Sequence, residues 1–188
     1  MRYADDPGAQ CEVFVQAAVE RVWELVTDIA LPARLSPELR RVAWLDGADG
    51  PAVGARFEGH NRRVNMRDWR TVSEVIELTE CRAFAWAVMD VDGRYGGPVS
   101  DVAGSMARWR FDLTPEDGGT RVRQSVVIGP GRSGVTLAIE ARPEIEEQIV
   151  AFRLEELRGG MAATLAGVKS LAEEGQGSTW RRRASNSW

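Results

Sequence analysis

The side chains that most often carry out catalysis are scarce in this sequence. His60 is the only histidine and Lys169 the only lysine among 188 residues. A multi-histidine metal site or a Ser-His-Asp triad has one histidine to draw on, and Schiff-base chemistry needs a desolvated lysine, whereas Lys169 lies late on a predicted helix. No zinc-type Cys/His spacing, Gly-rich phosphate loop or GxSxG elbow is present. The sequence therefore predicts no metal site and no cofactor, and it assigns no catalytic residue.

Carboxylate pairs occur at Asp90 and Asp92 and at Glu146 and Glu147. They fall in a predicted loop and on a predicted helix surface, which favours surface charge over acid-base catalysis. Any reaction would depend instead on the positioning of a reactive ligand by neutral hydrogen-bonding groups such as Asn61 and Gln124. Arg94 and Asp101, in the loop after Met89, could reach the mouth of a ligand site.

The elements that must position these groups can be predicted from hydrophobic periodicity. A strand (11–16) leads into a helix (19–29) and a second short helix (35–39). Strands then follow one another with only turns between them, at 42–45, 55–63, 68–78, 82–89, 104–113 and 120–128. Residues 129–142 are predicted to be a connection, and residues 143–174 a long closing helix. This order predicts an α+β fold in which a curved antiparallel sheet wraps around the terminal helix and leaves a cavity between them.

Strand alternation predicts which side chains face that cavity. In the strand around residue 60, His60 shares the outer face with Arg56, Glu58 and Arg62. The predicted inner wall is aromatic with a few neutral polar groups: Phe57, Asn61, Trp69, Thr71, Ser73, Phe84, Trp86, Trp109, Phe111 and Gln124. Aromatic walls with sparse polar groups are typical of small-molecule sites, although the same rings could simply fill a core.

The closing helix is predicted to face the sheet through one apolar stripe: Ile145, Ile149, Phe152, Leu157, Met161, Leu165 and Val168. Gly159 and Gly160 interrupt this stripe. The interruption is compatible with tight packing on the sheet, with a kink, or with room for a ligand beside Met161 as an adaptable wall.

Several strings resemble one known family. VFVQAAVERVWELVTDIALPARLSPEL, PAVGARFEGHNRR, AFAWAV, WRFDLTPEDGGTRV and GMAATLAGVKSLAE are similar to segments of the SRPBCC (START/Bet v 1-like) superfamily, in its bacterial polyketide cyclase/dehydrase-type branch. The resemblance covers roughly residues 10–174 and implies the helix-grip fold, with about seven strands. It leaves two functions open: binding of a small hydrophobic, aromatic or polyketide-like molecule, or a cyclase/dehydratase-like reaction on such a molecule.

Composition bounds the remaining possibilities. We expect an N-terminal extension (1–9), one helix-grip domain (10–174) and a disordered tail (175–188). No stretch approaches the roughly 20 apolar residues of a membrane span, and no export signal is readable, so a cytoplasmic location is expected. A net charge of -4 argues against a nucleic-acid partner. The oligomeric state is not specified.

Loops 90–103 and 129–135 are expected to frame the cavity mouth and to be mobile.

Overall fold

A computed structural model of the chain describes residues 1–35, 39–62 and 68–174. The elements are, in order, β1 Gly8–Val15, α1 Val19–Thr27, α2 Leu31–Leu35, β2 Leu39–Trp44, β3 Arg56–Asn61, β4 Trp69–Thr79, β5 Ala83–Met89, β6 Ala107–Glu116, β7 Gly119–Ile128, α3 Gly134–Ala141 and α4 Glu146–Glu174. Short 3-10 turns lie at Tyr3–Asp5, Val102–Gly104 and Pro143–Ile145. The predicted tail lies outside the described residues.

The seven strands form one antiparallel sheet in the order β1-β7-β6-β5-β4-β3-β2. Five of the six contacts join strands that are consecutive in the chain, and β1 closes the order by pairing with β7. The tightest connection is the two-residue turn Asp117-Gly118, where Gly118 has φ +76°. Glycine adopts that left-handed backbone without a steric penalty. The curved sheet and the long closing helix confirm the predicted helix-grip fold.

Helix α4 packs on the inner side of the sheet, mainly against β1. Its buried side chains recur every three or four residues: Val150, Leu154, Leu157, Met161, Leu165, Val168 and Ala172. The N-terminal part of this stripe packs on Ala9, Val126 and Ile128, and the C-terminal part joins α1 and α2 in a second cluster. The helix therefore lies closest to one flank of the sheet, and on β4 and β5 it shares a buried cluster with Val75 and Phe84.

The predicted stripe of α4 is wrong in its first half. Phe152 is 68% exposed, and Ile145 and Ile149 are only partly buried, whereas Val150 and Leu154 face the sheet. The predicted stripe included Phe152, which lies five residues before Leu157, whereas Leu154 and Val150 lie three and seven residues before it and so share its face. The helix runs without a break from Glu146 to Glu174, so the phase set by Leu157 and Met161 continues toward the N-terminus.

Several further boundaries differ from the predictions. Helix α2 is Leu31–Leu35 and begins before the predicted range 35–39, because Pro32 is tolerated in a first helical turn. Residues 36–38 of the predicted range lie outside the described residues, and Leu39 begins β2. Strand β1 begins at Gly8, three residues before the predicted start at Cys11. Helix α3 lies within the predicted connection. Ser133 caps it, since its hydroxyl accepts a hydrogen bond from the Val135 N–H at 3.3 Å.

Candidate functional site

Strand register places the predicted wall residues on one face of the sheet. Directly opposed residues of neighbouring antiparallel strands point to the same side. The pairs on this face are Phe57–Ser73, Asn61–Trp69, Gly59–Thr71, Phe84–Phe111, Trp86–Trp109 and Phe111–Gln124. Gln124 in turn opposes Cys11 of β1, which lies beneath α4. The predicted alternation is thus reproduced across the sheet, and this surface is called the inner face below.

The inner face divides into a packed part and an accessible part. Phe84 and Phe111 are 2% and 3% exposed and pack with Leu165 and Val168. Met161 is 1% exposed and packs in the cluster that also holds Trp109. These rings and Met161 belong to the core of the fold.

The accessible part of the inner face consists mainly of aromatic rings. Phe57, Trp69, Trp86 and Trp109 remain partly exposed although they lie on the concave side of the sheet. The indole rings of Trp86 and Trp109 stack with centroids 6.2 Å apart and an interplanar angle of 9°. Trp44, on β2, adds an edge-on contact to Phe57 at 5.5 Å between centroids. Trp44 was not among the wall residues predicted from the sequence. Its position two residues after Val42 on the same strand was the signal that could have placed it on the inner face.

Gln124 is a buried polar group without a full set of partners. Its side chain is 5% exposed, and its Oε1 accepts no hydrogen bond from the described residues. A buried acceptor without a donor carries a desolvation cost of about 1–3 kcal/mol. A hydroxyl or N–H group of a bound molecule would relieve that cost.

Neutral polar groups line the inner face of β3 and β4. The Nδ2 of Asn61 makes one long hydrogen bond, at 3.4 Å, to the Gly59 carbonyl. The hydroxyls of Thr71 and Ser73 form no hydrogen bond with any residue that the structure describes. These groups can hydrogen-bond to a ligand, and none of them is an acid or base at neutral pH.

His60 lies on the opposite, outer face of the sheet, as predicted. Its Nε2 is 2.9 Å from the Glu58 Oε1 and 3.1 Å from the Arg41 guanidinium. The hydrogen bond from His60 holds the pKa of Glu58 below its ordinary value, with a further contribution from Arg70. His60 is therefore part of a surface ion network and does not contact the inner-face rings.

The two loops expected to frame the mouth contact each other. The Arg132 Nε–H donates to the Tyr95 carbonyl at 2.8 Å, and the Gly131 N–H donates to the Ser105 carbonyl at 2.9 Å. The Tyr3 hydroxyl donates to the Gly131 carbonyl at 2.7 Å. Both loops lie at the sheet end that carries Asn61 and Trp69. Their predicted mobility stays a prediction.

Asp90 differs from the surface charge that the sequence suggested. It is 4% exposed, and its carboxylate accepts the N–H groups of Arg94 and Tyr95 at 2.9 and 2.8 Å. Its carbonyl accepts the Val99 N–H at 2.9 Å. Asp90 thus organises the loop between β5 and β6. Asp92 is exposed and pairs with Arg70 at 2.7 Å, which lowers the pKa of Asp92.

Gly159 and Gly160 lie on the exposed side of α4. A Cβ atom added at either position would meet no atom within 4 Å. Tight packing therefore does not explain them. In contrast, a Cβ at Gly167 would lie 2.6 Å from Leu35, so that glycine is where α2 approaches α4.

The described ranges contain neither a metal-ligating cluster nor a membrane-spanning helix. No group of three or more His, Cys, Asp or Glu side chains among these residues could hold a metal ion. Within the same ranges, no helix has both the length and the apolar character needed to cross a bilayer.

Comparison with solved structures places this architecture among known proteins. A Polyketide_cyc-like protein, Cgl2372 from Corynebacterium glutamicum, superimposes with a TM-score of 0.60 at 25% identity, covering 88% of this chain and 91% of that one. The di-domain ARO/CYC StfQ of the steffimycin biosynthetic pathway gives 0.64 at 14% identity, over 90% of this chain and 51% of that one. Ara h 8.0201 superimposes with a TM-score of 0.56 at 14% identity, covering 87% of this chain and 98% of that one.

Sequence comparison adds a family assignment to this shared fold. No functionally curated protein matches the sequence significantly. The model of the family described as polyketide cyclase / dehydrase and lipid transport matches residues 9–173, which is nearly the whole described chain. The match supports the resemblance found in the sequence and extends one residue further toward the N-terminus. The chain belongs to the polyketide cyclase / dehydrase and lipid transport family.

Proposed function

We propose that the protein binds a small hydrophobic, ring-containing molecule on the inner face of its sheet. The observation that carries this proposal is the accessibility of Trp86 and Trp109. Large aromatic side chains on the concave side of a sheet are ordinarily removed from water by packing. Here the stacked indoles stay partly exposed, although each also packs at the border of a core cluster. A planar apolar ligand would bury this surface and stack on it.

The polar groups of the inner face support a ligand that is not purely hydrocarbon. Gln124 offers an unpaired acceptor, and Thr71 and Ser73 offer hydroxyls that can donate or accept. Sparse polar groups within an apolar wall fix a ligand's orientation. The proposed ligand therefore carries hydroxyl or carbonyl substituents on its rings, as polyketide-like aromatic molecules do.

A cyclase/dehydratase-like reaction is the alternative function. It is favoured by the family and by the likeness of the fold to a di-domain ARO/CYC protein. The inner-face residues named above include no carboxylate and no histidine. Under this alternative the protein would hold a flexible substrate in a reactive conformation, with Asn61 and Gln124 as neutral hydrogen-bonding groups.

The binding proposal can be tested with N-phenylnaphthylamine, a neutral aromatic probe whose fluorescence rises in apolar surroundings. We expect saturable binding to the wild-type protein and quenching of its tryptophan fluorescence. Trp86→Ala should weaken binding at least tenfold, a change of about 1.4 kcal/mol. His60→Ala is the matched control, since it alters the outer face of β3 and should leave affinity within twofold.

Two outcomes would contradict the binding proposal. The first is an absence of saturable binding to the wild-type protein. The second is equal weakening by His60→Ala and Trp86→Ala in variants with native circular dichroism. Mass spectrometry distinguishes the enzyme alternative from binding alone. An aromatic poly-β-ketone is analysed before and after incubation with the protein. Catalysis would be established by loss of water, or by a cyclic isomer of unchanged mass with a new chromatographic retention time, if either requires the folded protein. Unchanged mass and retention time would support binding alone.

A further inference from the structure

Arg94 has an unusual position for a surface arginine. Its guanidinium carbon lies 5.4 Å from the centroid of the Trp69 ring and 5.7 Å from that of the Tyr95 ring. Trp69 belongs to the inner face. Arg94 forms no ion pair with a carboxylate among the described residues. By contrast, Arg70, the neighbour of Trp69 on the outer face, is bound by both Asp92 and Glu58.

The loop holds Arg94 in this position through its backbone. The Asp90 carboxylate accepts the N–H of Arg94 directly and the N–H of Tyr95 beside it. Asp90 is itself buried, so water does not readily compete for these two hydrogen bonds. A cation held over an aromatic ring by its own loop loses less conformational freedom when it binds an anion.

The surroundings of Trp69 are rich in positive charge. A surface pocket of about 530 Å³ adjoins the Asn61–Trp69 pair and is lined by Arg40, His60, Asn61, Arg62 and Asp68. Asp68 is the only acid among the described residues of this lining, and Arg62 pairs with it at 2.7 Å. The chain as a whole carries a net charge of -4, so this positive end is a local feature. Such a patch attracts anions.

We propose that the ligand carries an anionic group at one end, which Arg94 binds at the mouth of the site. This inference rests on the proposed function, because it orients the same ligand. Trp69 lies six residues along β4 from Val75, which opposes Trp86. At the rise of an extended strand that separation is about 20 Å. The ligand is therefore elongated, with rings at Trp86 and Trp109 and its anion at Arg94.

A carboxylate and a phosphate ester share the chemistry that a guanidinium recognises. Both accept two parallel N–H bonds from one arginine in a planar arrangement. The experiment therefore uses a matched series with a fluorescent ring at one end and a chain of suitable length. The probes are dansylaminoundecanoic acid, its neutral methyl ester, and dansylaminoundecyl phosphate.

The expected result is a charge-dependent preference that requires Arg94. Wild-type protein should bind the acid about tenfold more tightly than the ester, as expected for one charge-assisted interaction. Arg94→Gln should remove this difference and leave the affinity for the ester unchanged. Arg108→Gln, an arginine on the outer face of β6, is the matched control and should preserve the preference. Whichever of the acid and the phosphate binds more tightly identifies the anion.

The failures of the two proposals are distinguishable. Equal affinity for acid and ester in the wild-type protein would overturn the anion inference while leaving the binding proposal standing. The same conclusion follows if Arg94→Gln weakens acid and ester alike. Failure of both the ester and N-phenylnaphthylamine to bind would overturn the proposed function and the anion inference together.

Discussion

The two faces of the sheet differ in how completely their polar groups are paired. On the outer face, Glu58 contacts His60, Arg41 and Arg70, and Arg110 contacts both Glu77 and Asp112. On the inner face, the Gln124 Oε1 and the Thr71 hydroxyl have no described partner. The abundant charges of the outer face satisfy one another, whereas the few polar groups of the inner face are left available. Unmet hydrogen-bonding capacity thus supports the proposed ring-binding site on the inner face, which the paired charges of the outer face do not.

The largest expected difference between the faces concerns stability. Phe84→Ala removes a ring that is 2% exposed and packs on Trp86 with centroids 5.2 Å apart. We expect the free energy of unfolding to fall by about 3–5 kcal/mol, through lost burial and a residual cavity. Val127→Ala, on the outer face, should cost less than about 0.5 kcal/mol. Chemical denaturation followed by circular dichroism measures both, and similar losses would mean that the faces are equally packed.

An intermediate effect is expected at Gln124. Gln124→Leu replaces an unpaired buried acceptor with an apolar group of similar size, which should raise the free energy of unfolding by about 1 kcal/mol. The same change should weaken binding of a hydroxylated ring such as naphthol while sparing naphthalene. Thermal unfolding and competition with N-phenylnaphthylamine measure the two effects.

The control for Gln124 is Ser125→Ala, on the next, outward-facing position of β7. It should change neither stability nor ligand preference appreciably. Destabilisation by Gln124→Leu would show that the Gln124 oxygen has a partner in the folded protein. Gln124 would then no longer be an example of an unpaired polar group on the inner face.

The smallest effect concerns acid sensitivity of the outer face. His60 and Arg70 hold the pKa of Glu58 below its ordinary value of 4.5. Ionised Glu58 therefore contributes stability above that value, and the contribution is lost as the pH falls through the lower pKa of the folded state. Glu58→Gln should make the decline of unfolding free energy below pH 4.5 shallower. Glu155→Gln, an exposed helix residue, should leave the decline unchanged, and an identical slope in all three proteins would contradict the prediction.

Much of the site was predictable because strand alternation is a local property. Residues two apart on a strand share a face whatever the rest of the chain does, so the inner positions of Phe57, Trp86 and Trp109 could be predicted. Helix phase was less secure, since the stripe predicted for α4 included Phe152, which lies five residues before Leu157 and is exposed. Local periodicity therefore predicted the wall more reliably than the helix that lies over it.

The rest of the site depends on contacts between distant segments. The unpaired state of Gln124 depends on which groups surround it, and no motif encodes that. The placement of Arg94 over Trp69 joins residues 25 positions apart and arises from a loop that Asp90 shapes. The buried role of Asp90 was likewise hidden, since a DVDG string in a polar loop is typical of exposed charge.

The loop between β5 and β6 has a consequence for how such a protein can diversify. The Val99 N–H donates a hydrogen bond to the Asp90 carbonyl, so the residues between them form a closed loop next to the end of β5. Exchanging residues 91–98 for another segment of similar length would alter the group presented to the mouth without disturbing strand register. Under the proposed function, selectivity for a ligand's terminal group and affinity for its rings would then be separable traits. Each can be changed by recombination or grafting while the other is inherited intact.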